Sequence, residues 1–177
     1  RKAQRRKKVA VVGAGPAGMS AATVAAECGH DVSLFDSADR VGGQFNVAMQ
    51  VPGKEEFAQT LRYFSKRIET TGVNLQLGQR VTREQLLAQG FDDVVLATGI
   101  VPRTPRIPGV ERTNIVSYLD VLQRKVTLGK RVAIIGAGGI GFDVAEFLLH
   151  DPGVALPVSI EHWCSEWGVD LHATANG

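Results

Sequence analysis

The first residues able to do chemistry are six that form a glycine-spaced loop, Gly13-Ala14-Gly15-Pro16-Ala17-Gly18. The first glycine permits a tight turn. The second removes a side chain where a pyrophosphate must approach the backbone, and the third lets a helix pack closely on a strand. A helix starting at Pro16 offers free N–H groups and the positive end of its dipole to phosphate. Asp36 stands 18 residues after Gly18, at the end of the next apolar run. That is the place for a carboxylate on a ribose hydroxyl pair. Its charge repels a 2′-phosphate, so the loop is expected to hold an ADP moiety with a free ribose, as in FAD or NAD.

A second loop, Gly136-Ala137-Gly138-Gly139-Ile140-Gly141, repeats the pattern. Two such loops imply two dinucleotides, or a duplicated scaffold of which one copy has lost its ligand. Glu161 lies 20 residues after Gly141, but the turn-rich stretch before it does not read as a strand, so it is not taken as a ribose ligand. Asp143, two residues after Gly141, is read as solvated or capping in preference to an acid facing a nicotinamide. A third signal, Ala97-Thr98-Gly99, closes an apolar run and leads into IVPRTPRIPGV, an extended crossover rich in proline.

The elements that must position these residues follow from hydrophobic period and punctuation. Val9–Val12 and Asp31–Phe35 read as buried parallel strands around a helix from Pro16 to Cys28, a βαβ unit. A helix is expected over Glu55–Thr70, a strand over Val73–Leu77, a brief helix over Glu84–Ala88, and a strand over Asp93–Ala97. Tyr118–Lys125 reads as helical. The second unit is expected as strand Arg131–Ile135 and a helix from Ile140 to Leu149, ended by Asp151-Pro152-Gly153. Residues 154–177 show no clean period and read as an irregular insertion. The fold class is therefore α/β, with a Rossmann-like nucleotide-binding fold. The organisation reads as a basic linker over residues 1–8, the N-terminal part of an FAD-binding domain over 9–127, and the start of an NAD(P)H-binding domain over 128–177.

Composition bounds this reading. The chain has 177 residues, 44% hydrophobic and 21% charged, which suits a globular protein with a real core. The net charge of +2 is uneven: residues 1–8 carry six of the 20 Lys+Arg and no acid, leaving 14 basic against 18 acidic side chains. A nucleic-acid binder would be basic throughout, so neither nucleic acid nor membrane is expected as a partner. No run approaches the roughly 18 apolar residues of a membrane span. Cys28 and Cys164 form no CxxC pair; both read as packing residues in a reduced, cytoplasmic setting. His30, His150, His162 and His172 are scattered, and none is assigned a role.

With these motifs in order, the chain resembles the two dinucleotide-binding domain flavoproteins. Within them, VGGQFNVAMQVPGKEEF, LRYF, ATGIVPRTP, SYLDVL, RVAIIGAGGIGFD and CSEWGVD resemble the bacterial NADPH-dependent 2,4-dienoyl-CoA reductases, from about Lys8 to Asp170. The resemblance implies FAD contacts at the Gly13–Gly18 loop, Asp36, Gly43, Gln44, Lys54, the backbone near Val81, and Thr98-Gly99. It implies a nicotinamide nucleotide at Gly136, Gly138, Gly139, Ile140 and Gly141. Lys54 reads either as a phosphate partner or as a solvated lysine, and Val81 as an adenine neighbour or ordinary core. The resemblance further implies an electron-entry module, with hydride passing from NADPH to FAD and electrons leaving for FMN and a 4Fe-4S cluster in a parent protein outside this chain. Substrate protonation would belong to that missing part. Alternatives are an ADP-holding domain like those of trimethylamine and histamine dehydrogenases, and a nucleotide-binding module without turnover. The missing CxxC argues against a thioredoxin-reductase-like enzyme.

Overall fold

A computed structural model describes residues 2–150 and 159–173. Four strands form one parallel sheet: β1 (Lys8–Val12), β2 (Asp31–Phe35), β3 (Asn74–Gln76) and β4 (Asp93–Leu96), in the order β3-β2-β1-β4. The first two contain the predicted runs. Their β-branched and apolar residues are buried on both faces, as a central parallel strand requires; Val11, Leu34 and Phe35 are fully buried. Register is continuous, with Val9 opposite Val32 and Val12 opposite Phe35 across β1–β2, and Val12 opposite Leu96 across β1–β4.

Helix α1 (Pro16–Glu27) crosses between β1 and β2. Its small residues allow close packing: Gly18, Met19, Ala22 and Thr23 are its buried side. The Thr23 hydroxyl avoids an unpaired donor by bonding the Met19 carbonyl at 2.9 Å. Helix α3 (Phe57–Thr71) lies beside α1 and buries Ile68 in the same core, with Leu61 and Phe64 packed at its margin. Gly72 ends it in the left-handed conformation at φ 73°. Each fully buried Val, Leu or Phe here contributes about 1.5–3 kcal/mol. Arg67 of α3 ties the two helices through Glu27 of α1, while its guanidinium donates to the Tyr63 hydroxyl one turn earlier on α3. Its pKa is raised, first by the Tyr63 hydrogen bond and then by the Glu27 charge.

A second apolar cluster joins Val47 of α2 (Phe45–Ala48) and Val51 to Val121 and Leu122 of α5 (Tyr118–Leu122) and Val144 of α6 (Gly139–Leu149). Two further helices are α4 (Arg83–Ala88) and α7 (Ile160–Trp167). Thr82 and Gln85 form a reciprocal capping box on α4.

Several expectations need correction. Residues 131–135 are not a strand: they are exposed and pair with no neighbour among the described residues. An apolar run becomes a strand only when its N–H and C=O groups meet a partner. The region 154–177 is not wholly irregular, since α7 starts at the Ser159 cap and stops at Gly168, φ 65°. Asp151-Pro152-Gly153 lies outside the described residues, as do 154–158 and 174–177. Tyr118–Lys125 is shorter than predicted because Arg124 adopts φ 54° and closes α5 early. The strand expected over Val73–Leu77 narrows to Asn74–Gln76, because only those residues register with β2. Lys8 opens β1, so the basic run is not wholly a linker.

Candidate nucleotide-binding site

The loop between β1 and α1 lies at the carboxyl ends of the strands, where β1 has β2 on one side and β4 on the other. Connections diverge there, and open parallel sheets hold their ligands at such a point. The three glycines act differently. Gly13 has φ 108°, and a Cβ there would overlap the Ala97 carbonyl at the end of β4. A Cβ on Gly18 would overlap the Gly13 carbonyl, so the third glycine sets how tightly α1 closes on the loop. At Gly15 the nearest atom to a Cβ would be Gly43 Cα, 4.0 Å away, so that face is open. Tight packing behind the loop and open space at its middle glycine fit a pyrophosphate lying against the backbone.

Helix α1 begins at Gly15 in extended conformation, with no side-chain cap and Pro16 in the first turn. Helix α6 begins the same way at Gly138. By contrast, Thr82, Ser117 and Ser159 cap α4, α5 and α7 with their hydroxyls. The first-turn N–H groups of α1 and α6 therefore keep donors free for an anion.

Asp36 closes the site. Its carboxylate accepts from Ala14 N–H at 2.6 Å and from Ala38 N–H at 2.8 Å, which fixes it beside the glycine loop. Each oxygen keeps a second lone pair for a hydroxyl. Gly42 N–H bonds the Ala14 carbonyl at 2.8 Å, so the Gly42-Gly43 turn is pinned against the loop, and Gly43 approaches Gly15. Gln44 follows, exposed. Thr98 N lies near Gly13, and Gly99 turns the chain away at φ 71°. Val81 is half-buried, two residues beyond Gln79, whose N–H donates to the Asp36 carbonyl. Thus Gly13 to Gly18, Asp36, Gly43 and Thr98 gather around one loop.

The second loop repeats the first in small. Gly136 has φ 112°, and a Cβ on Gly141 would overlap the Gly136 carbonyl, while Gly138 and Gly139 face open space. Ile140 is exposed. Glu161 lies in the first turn of α7, not at a strand end, and so is no ribose ligand by position. Its carboxyl is held below the usual range by its own backbone N–H and by the Ser159 hydroxyl.

Sequence reasoning missed one connection. Lys54 Nζ meets both carboxylate oxygens of Asp143 at 2.7 Å. The lysine follows the Gly42-Gly43 turn and α2; the aspartate lies on α6, directly after the second glycine loop. This half-buried pair is a polar link between the regions carrying the two loops. Asp143 is therefore neither simply solvated nor a cap. The partners are 89 residues apart, and no local period could have joined them.

Residues 7–166 match the pyridine nucleotide-disulphide oxidoreductase family. The chain belongs to that family. Its relatives are pyridine nucleotide–flavin oxidoreductases, and this chain carries two glycine loops at helix starts. The chain is 36% identical to an NADH oxidase of Thermoanaerobacter brockii over 94% of its own length and 26% of the relative's. It superposes on a 2-naphthoyl-CoA reductase in complex with 2-naphthoyl-CoA with TM-score 0.80 and 36% identity, covering 84% of this chain and 22% of that one. Histamine dehydrogenase from Rhizobium sp. 4-9 gives TM-score 0.59 and 27% identity, covering 72% and 21%. The chain thus spans about a quarter of the length of these proteins. Among the described residues, no helix is long and apolar enough to cross a membrane, and no group of three His, Cys, Asp or Glu could hold a metal ion.

Proposed function

We propose that this chain is the electron-entry module of an NADPH-dependent acyl-CoA reductase of the 2,4-dienoyl-CoA type. The observation that carries the reading is the repeated, uncapped glycine-loop helix start, with the two loop regions joined through Lys54 and Asp143. When bound, FAD would supply the isoalloxazine that takes hydride from a nicotinamide. The Gly13–Gly18 loop would hold the FAD pyrophosphate, Asp36 the adenosine ribose, and Gly43, Gln44 and Thr98-Gly99 the rest of the flavin nucleotide near the loop. Val81 would offer its main chain to adenine. Gly136, Gly138, Gly139, Ile140 and Gly141 would hold the NADPH pyrophosphate. Lys54 and Asp143 would keep the two sites in a fixed relation. FMN and a 4Fe-4S cluster, receiving the electrons, would belong to the parent protein outside this chain, in a cytoplasmic setting consistent with two free thiols. Similarity to a 2-naphthoyl-CoA reductase supports an acyl thioester as the final acceptor.

A second reading is favoured by the likeness to histamine dehydrogenase: the first loop would hold ADP alone and the second would not turn over pyridine nucleotide. The absorption spectrum of the full-length parent, with and without anaerobic NADPH, separates the two. Flavin bands at about 450 nm that bleach with NADPH are expected. Release of ADP on denaturation, with flavin that NADPH leaves oxidised, would replace the first reading by the second.

A further inference from the structure

A turn at residues 41–43 faces the first glycine loop, and a single peptide joins the two. Gly42 N–H donates to the Ala14 carbonyl at 2.8 Å. The carbonyl at the other end of the same peptide, that of Val41, accepts from Asn46 Nδ2 at 2.9 Å. A trans peptide points its N–H and C=O in opposite directions, so this one plane bridges the glycine loop and α2. Of the two ends of the Asn46 amide, only the nitrogen can meet a carbonyl. Ala14 is held on its other side too, because its N–H donates to Asp36 at 2.6 Å. Asn46, the Val41–Gly42 peptide, Ala14 and Asp36 therefore form one continuous chain of hydrogen bonds behind the site.

The turn has little stiffness of its own. Gly42 is buried at φ 117°, and Gly43 follows at φ 50°. Glycine lets a peptide rotate between wells that other residues exclude. A Cβ on Gly42 would meet Asn46 Nδ2 at 2.7 Å and Leu61 Cδ2 at 2.9 Å, and a Cβ on Gly43 would meet Gly15 Cα at 3.0 Å. The turn thus stands against the one glycine of the loop whose face is otherwise open. Asn46 holds it from behind at two points, since its own N–H also donates to the Gly43 carbonyl at 3.2 Å.

We propose that Asn46 is a positioning residue for the first nucleotide site. The proposal rests on the reading of the Gly13–Gly18 loop as the seat of a flavin nucleotide. Asn46 acts through the Val41–Gly42 peptide: its amide fixes that plane, the plane holds Ala14, and Ala14 keeps the loop backbone where a pyrophosphate meets it. Without the donor, the Val41 carbonyl loses its partner, the peptide is free to turn, and the Gly42–Ala14 bond goes with it. The consequence is a weaker grip on pyrophosphate in an intact sheet, since β1 and β2 pair without the turn.

The test uses the full-length protein with its flavin removed and FAD added back, followed by quenching of flavin fluorescence. Asn46→Leu keeps the side-chain volume and removes the donor. Its Kd for FAD is expected to rise about tenfold. The thermal midpoint of the nucleotide-free protein should fall by less than about 5 °C. Asn46→Asp sets an acceptor against the Val41 carbonyl and should bind FAD no better than Asn46→Leu. The phosphorus NMR spectrum of bound nucleotide supplies the readout that a purely structural role would not move. Its pyrophosphate resonances should shift in Asn46→Leu, because the loop N–H groups no longer meet the phosphates in the same way. An FAD affinity within about twofold of wild type would overturn the proposal. So would weaker binding with the pyrophosphate resonances at their wild-type positions, which would assign Asn46 to the fold alone. Wild-type protein that releases ADP and takes up no flavin would refute the flavin reading instead. The same phosphorus comparison on bound ADP would then decide the role of Asn46.

Discussion

Glycines alike in sequence carry different duties, and single substitutions separate them. Gly18→Ala places a methyl group into the Gly13 carbonyl. The loop or α1 must shift, costing about 1–3 kcal/mol, visible as a lower thermal midpoint with or without cofactor. Gly15→Ala meets nothing nearer than 4.0 Å and keeps an ordinary extended backbone, φ −73°. It should leave apo stability within about 0.5 kcal/mol and instead weaken FAD binding, measured as flavin retained after dialysis. If Gly15→Ala retains flavin as well as wild type, the pyrophosphate does not approach that face. The Lys54–Asp143 pair makes a second residue-scale prediction. Partly exposed, it should show a coupling of about 0.5–1 kcal/mol in a thermal double-mutant cycle with Lys54→Met and Asp143→Asn. If the two residues act as a unit, each variant slows anaerobic flavin reduction by a similar factor and the double variant is no slower. Independent, multiplying effects in stopped-flow traces would mean that they act separately.

Helix starts differ in chemistry: three carry a hydroxyl cap, α2 and α3 begin at Gln44 and Glu56 without a side-chain cap, and α1 and α6 begin at glycine. Helices α4, α5 and α7 satisfy early N–H groups with a hydroxyl, which stabilises each helix by about 1 kcal/mol. Helices α1 and α6 forgo this at glycine caps, as expected where a phosphate supplies the missing acceptors. Helix α7 shows how a cap couples to pH. Glu161 in its first turn is held below the usual carboxyl range. A depressed folded value means that its stabilising contribution is present above the unfolded value and lost as pH falls through the folded one. Protection of the Ile160–Trp167 amides should therefore be flat above about pH 5 and decline below the ordinary glutamate range. Glu161→Gln should flatten the profile. An acid response unchanged in Glu161→Gln would assign the effect to another group. The elements most legible from sequence were those with local punctuation: Pro16 and Gly29 around α1, and Asp31–Phe35 as an apolar run between turn signals. The capping signals Thr82-Arg83-Glu84-Gln85 and Ser159 before α7 are equally local, but the apolar period beside them is short, so the first marks only a brief helix and the second none.

Across the molecule, the division follows the range of the interactions. The sequence by itself determined the α/β class, the βαβ unit and the two glycine loops at helix starts. It also placed Asp36 after the second strand, because turn chemistry, helix starts and strand burial are encoded within a few residues. Through a resemblance it also marked the turns at Gly43 and at Thr98-Gly99 as expected flavin contacts. Only the tertiary structure decided that those two turns close on the same loop through the Gly42–Ala14 bond and the Ala97–Gly13 approach. It decided that Lys54 finds Asp143, that the basic segment at residues 2–8 lies along the sheet, and that residues 131–135 stay out of it. Each of these depends on what stands opposite in space. A strand is made by its neighbour and an ion pair by its partner, and neither is written in the spacing of the residues that form it.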